Sequence, residues 1–97
     1  MANVQTEALS TTAENVTFDL NGSTIYLENL SVTAAEVIWV RWDGTTVVAA
    51  ADGAYPIPAG TGRTFRIASK LRTSNSVVVS ALSASGTPSL FGYVVAN

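Results

Sequence analysis

"EVIWVRWDGTTVVAAADGAYPIPAGTGRTFRI", Glu36 to Ile67, alternates like a strand and breaks like a turn. Its first seven residues are mostly β-branched and aromatic, which predicts a central strand over 36–42. Asp43-Gly44 then reads as a hairpin turn, and TTVVAA predicts a returning strand over 45–50. Pro56 and Pro58 flank Ile57 and cannot donate ladder hydrogen bonds, so a strand there must be short and on an edge. From Arg63 to Ala68 the alternation resumes, with Phe65 and Ile67 inward and Arg66 outward. The whole stretch describes sheet.

The same period extends outward from it. Val16, Phe18 and Leu20 alternate with polar residues, Asn21-Gly22 is a strong turn dipeptide, and Ile25 and Leu27 resume the pattern. A β-hairpin of strands 14–20 and 24–30 is expected. SVVVSALS predicts a strand over 76–83, ASGTP a turn, and SLFGYVVA a closing strand. MANVQTEALSTTA shows no sustained period and reads as a flexible N-terminal arm over 1–13, leaving 14–97 as one domain. About seven or eight short strands and no helix make this an all-β chain. The expected fold is a small antiparallel β-sandwich or barrel, Ig-like or jelly-roll-like.

Composition narrows the chemistry. The 97 residues suffice for one modest core. There is no cysteine and no histidine, which removes disulfides, thiolate ligands and the commonest general base. The many serines then lack a nucleophile–base pairing, so no catalytic residue and no cofactor is expected. Asp43 and Asp52 each precede glycine, where aspartate serves a turn, and no metal site is expected. Gly60-Thr61-Gly62-Arg63 leads into a strand pattern rather than the helix a phosphate loop requires. Met1–Ser10 has neither a basic start nor an apolar block, and no run is long enough to span a bilayer. Synthesis in the cytoplasm and no membrane partner are the expectations. Asn15-Val-Thr17, Asn21-Gly-Ser23 and Asn29-Leu-Ser31 fit the glycosylation pattern only by chance in such a Thr/Ser-rich chain.

Only 12% of residues are charged, and they are unevenly placed. Seven acids and Arg41 give −6 over residues 1–62, whereas Arg63, Arg66, Lys70 and Arg72 give +4 over 63–97. The net charge of −2 argues against nucleic acid. Opposed charge on one small subunit suits contact between copies or docking on an acidic partner. Trp39 and Trp42 fall on opposite faces of a regular strand. Ile38, Val40 and Trp42 make the apolar, core-facing set, so Trp39 points outward as a contact residue. Trp39, Tyr26 and Tyr55 could alternatively form a sugar-stacking platform.

The block from Val37 to Ile67, with its hydrophobic strand, D-G-T turn, Ala/Asp-rich connection, "IPAG" and Arg-containing strand, resembles small β-sandwich virion proteins of tailed bacteriophages. The ending SVVVSALSASGTPSLFGYVV is similar to the same group, and the likeness covers roughly residues 14–97. The resemblance implies a non-enzymatic capsid decoration or minor capsid (cementing) protein, present on the virion in many copies. Its partner would be the major capsid protein or another virion protein, and it would form a homo-oligomer such as a trimer. Trp39, Tyr55, Ile57, Arg63, Arg66, Lys70 and Arg72 are the expected contact residues. A head–tail joining or tail subunit, and a carbohydrate-binding module, are the alternatives.

Overall fold

The computed structural model describes residues 4–19, 22–67 and 76–96. Eight strands run in chain order: β1 (Val4–Ala8), β2 (Glu14–Asp19), β3 (Gly22–Asn29), β4 (Ile38–Arg41), β5 (Tyr55–Ile57), β6 (Gly62–Arg66), β7 (Ser76–Ser83) and β8 (Ser89–Ala96). They form two four-stranded sheets, ordered β1-β8-β3-β6 and β2-β7-β4-β5, with every pairing antiparallel. No helix occurs among the described residues.

The pairings β1–β8, β2–β7, β3–β6 and β4–β5 describe one long antiparallel ribbon, folded back at the β4–β5 connection. Rolling that ribbon on itself adds β3–β8 in one sheet and β4–β7 in the other. This is the eight-stranded jelly roll, which excludes both the immunoglobulin strand order and a single closed barrel.

Alternation along each strand fills the space between the sheets. Val16 and Phe18 of β2, Ile25 and Leu27 of β3, Ile38 and Val40 of β4, and Val77 and Val79 of β7 are all buried in one cluster. Each such side chain contributes about 1.5–3 kcal/mol through its removal from water.

Topology overrides three local expectations. Strands β2 and β3 do not form a hairpin; they belong to different sheets, with β7 the partner of β2, and β8 and β6 the partners of β3. A turn dipeptide marks a change of direction, and the same chemistry serves a corner between sheets; Leu20 and Asn21 themselves lie outside the described residues. Residues 45–50 form no strand. Val47 is instead buried, 1% exposed, and its N–H donates to the Ser80 hydroxyl at 3.0 Å. The antiparallel neighbour that follows β4 in the chain is β5, reached after a long loop over 42–54. Finally, part of the expected arm is strand β1, paired from Val4↔Tyr93 to Ala8↔Ser89, and Leu9 is buried. An edge strand takes its register from its neighbour, so β1 can form without an apolar period of its own.

Candidate interaction surface

Strands β5 and β6 are the last in their respective sheets and meet along one margin of the stack. Tyr55 of β5 and Phe65 of β6 pack edge-to-face, ring centroids 4.8 Å apart and planes at 81°. Trp42, just past β4, lies 4.5 Å from Phe65 and 6.5 Å from Tyr55. The Arg63 guanidinium sits over the Tyr55 ring, 5.0 Å from its centroid, a cation–π contact at the solvent boundary. Three rings and one cation close this side of the sandwich.

The sequence-predicted contact residues are therefore distributed. Tyr55 is half-buried at the margin and Arg63 exposed above it. Ile57 is 0% exposed and belongs to the core, which corrects its expected role as a surface anchor. Pro56 has no N–H to donate, yet β5 still pairs with β4 and the pleat turns Ile57 inward. Arg66 is exposed, with its core-facing neighbours Phe65 and Ile67 buried, so it projects from the outer face of the β1-β8-β3-β6 sheet. Lys70 and Arg72 lie outside the described residues.

Trp39 lies on the outer face of the other sheet. Its strand neighbours Ile38 and Val40 are fully buried, while Trp39 and Arg41 are half-exposed. Trp39 stands in register between Leu82 of β7 and Pro56 of β5. Trp39→Ala should shift stability by less than about 1 kcal/mol, as for other surface changes. Trp42→Ala removes a ring packed on Phe65 and should cost about 2–3 kcal/mol, below the full-burial value because Trp42 is only half-buried. Thermal melts of the two variants check this; a larger loss at Trp39 would mean that Trp39, not Trp42, is the structural ring.

Next to Trp39, Arg41 anchors the 42–54 loop. Its Nε and Nη2 donate to the Asp43 carboxylate at 2.9 Å, and Nη1 donates to the Asp52 carbonyl at 3.0 Å. Gly53 has φ of 85°, the left-handed region that favours glycine, and its bare α-carbon lies against the Arg41 guanidinium. Between loop and sheet lies a groove of about 280 Å³, lined by Asn15, Arg41, Thr45, Thr46, Val78 and Ser80. The hydrogen bonds from Arg41 hold the Asp43 carboxyl down at about 2, against an ordinary 3.8. A depressed carboxylate stabilises the fold above its ordinary titration range, and that contribution is lost as pH falls toward 2. Carboxyl NMR should place the Asp43 midpoint near 2 and return it close to 3.8 in Arg41→Gln. The pair is exposed, so its loss should scarcely change the melt.

The other sheet carries an aromatic surface that the sequence reading did not single out. Tyr26 of β3 and Tyr93 of β8 lie 5.1 Å apart, and Phe91 lies 5.9 Å from Tyr93. All three are partly exposed and are flanked by exposed Val4 and Val95. The Tyr26 hydroxyl donates to Glu28 Oε1 at 2.7 Å, which raises the phenol above its ordinary value and keeps it protonated. Phe91 and Tyr93 alternate with buried Leu90 and Val94, and that phase was the signal available in the sequence. Tyr26, Trp39 and Tyr55 thus occupy two outer faces and a margin, and do not converge on a single platform.

Compared with protein-family models, curated proteins and solved structures, the chain gives no match.

Proposed function

We propose that this protein is a non-enzymatic structural subunit of a virion, decorating the outer shell of a tailed-phage capsid in many copies. The jelly-roll strand order supports this reading most, because that architecture recurs in viral capsid domains. Fold alone does not assign function, so the contact residues must carry the rest. Trp39 and Pro56 supply an apolar centre on one outer face, with Arg63 at the adjoining margin for an acidic partner. A head–tail joining role uses the same surface and differs in copy number. The glycan reading has less support, since its three rings point to separate surfaces.

The test is co-sedimentation of purified protein with undecorated phage shells, followed by electron microscopy. Binding in hundreds of copies, lost in Trp39→Ala with the melt unchanged, supports decoration; about a dozen copies at one vertex supports the joining role. Absence of binding to any shell or tail, or glycan-array binding abolished by Trp39→Ala, would overturn it.

A further inference from the structure

Three cross-strand rows cover most of the outer face of the β1-β8-β3-β6 sheet, with Ala8–Ser89 beyond them at one end. The middle row is Val4–Tyr93–Tyr26–Thr64. On one side of it lies Thr6–Phe91–Glu28–Gly62, and on the other Val95–Thr24–Arg66. Apolar and aromatic groups hold the centre, and the face has an acid in one outer row and a base in the other.

We infer that this face is a two-fold interface with a second copy of the chain. An axis lying along the middle row brings the face onto itself with strand direction reversed. Tyr93 and Tyr26 then meet their own counterparts, Phe91 covers the second copy's Val95, and Glu28 stands over the second copy's Thr24 beside its Arg66. Each charge in one copy therefore meets the opposite charge in the other, twice per dimer, as an isologous interface requires. Among the described residues the ion pair is Arg41–Asp43, so neither Glu28 nor Arg66 is committed to another charge there. The Tyr26 hydroxyl bond fixes the Glu28 carboxylate on the face. A β-carbon at Gly62 would fall 2.1 Å from that hydroxyl, so β6 is kept bare where the Tyr26 side chain lies across it.

The size suits a weak, concentration-dependent dimer. Two strands of eight residues and two of five, about 4.8 Å apart with about 3.4 Å per residue, make a face of roughly 420 Å² in flat projection. Two such faces give about 850 Å², the range of a transient contact. Sheets stacked in this way pack with strands roughly 30° off alignment, which leaves long Arg and Glu side chains within reach of each other. The inference does not depend on a virion, because the surface opposite, with Trp39, is left for another partner.

Sedimentation equilibrium of the full chain from micromolar to millimolar concentration tests it. The wild type should form a dimer. Glu28→Arg alone and Arg66→Glu alone should each raise the dissociation constant roughly 100-fold, since every reversal places like charges together twice. The double variant Glu28→Arg/Arg66→Glu should return it to within about 3-fold of wild type. Trp39→Ala should leave it unchanged, which separates this interface from shell binding. Phe91→Glu, a third disruption, keeps the test open if either charge reversal impairs folding. A wild type that stays monomeric throughout, or a dimer indifferent to all of these changes, overturns the inference.

Discussion

Asn29→Asp is expected to cost about 4 kcal/mol of stability at neutral pH, and markedly less near pH 4. Asn29 ends β3, is 0% exposed, and reaches from one sheet to the other. Its Nδ2 donates to the Glu36 carbonyl at 2.6 Å and to the Ile57 carbonyl at 2.9 Å, while Oδ1 accepts from the Ser31 N–H at 2.9 Å. Its backbone also bonds Thr61 and Gly60, at the turn between β5 and β6. One side chain thus ties the end of β3 to the approach to β4 and to β5. A carboxylate in its place keeps the acceptor and loses both donors, so a buried negative charge faces two carbonyl oxygens. Burial beside those dipoles raises the introduced carboxyl's pKa above its unfolded value near 4. The folded state then holds more protons, so the penalty grows as pH rises through the unfolded pKa and recedes in acid. In acid a protonated carboxyl can donate once, restoring part of the clasp. Asn29→Leu should lose a similar amount at every pH, since all three partners become orphans. Urea melts at two pH values decide the matter; losses below about 1 kcal/mol for both variants would show that the sheets hold together without this residue.

Asn29 also marks where the sequence stopped being legible. Its phase is inward, two residues beyond Leu27 and four beyond Ile25, but its polarity disguises a core position and Asn29-Leu-Ser31 fits a glycosylation pattern by chance. A buried amide that satisfies long-range carbonyls leaves no local trace, because Ile57 is 28 residues away. Elements whose own alternation places them, β3, β6, β7 and β8, fall close to the expected limits. The β1 strand, held by register with β8, and the loop carrying Val47, held over Ser80, depend on partners distant in the chain. The Asn21-Gly22 dipeptide predicts a hairpin that does not form, because sheet membership is decided by the rolled ribbon, which pairs first with last. The candidate surface was partly legible for the same reason. Strand phase placed Trp39 and Arg66 outward, whereas the division of the arginines between a margin and an opposite face required the topology.

Phe18→Ala should cost about 4–5 kcal/mol, the upper end for a large core truncation, and Gly92 is the reason. Phe18 on β2 is 1% exposed and crosses the interior toward β8, in the opposite sheet. A β-carbon at Gly92 would lie 2.8 Å from Phe18 Cζ and 2.7 Å from Leu27 Cδ2. Glycine there makes room for the ring, so β8 has no side chain at that point to relax into the space a missing ring leaves. Residual cavity volume sets the cost, and here the walls are strand backbone and already-packed neighbours. The converse substitution, Gly92→Ala, overfills the same space and should cost about 1–3 kcal/mol by itself. Combined, the new methyl enters the vacancy, so the double variant should be more stable than the sum of the two losses predicts by at least about 1 kcal/mol. Denaturant melts of the four proteins in the cycle measure that coupling. Strict additivity would mean that the ring and the strand do not share a space, and that the two sheets are not packed through Phe18 as described.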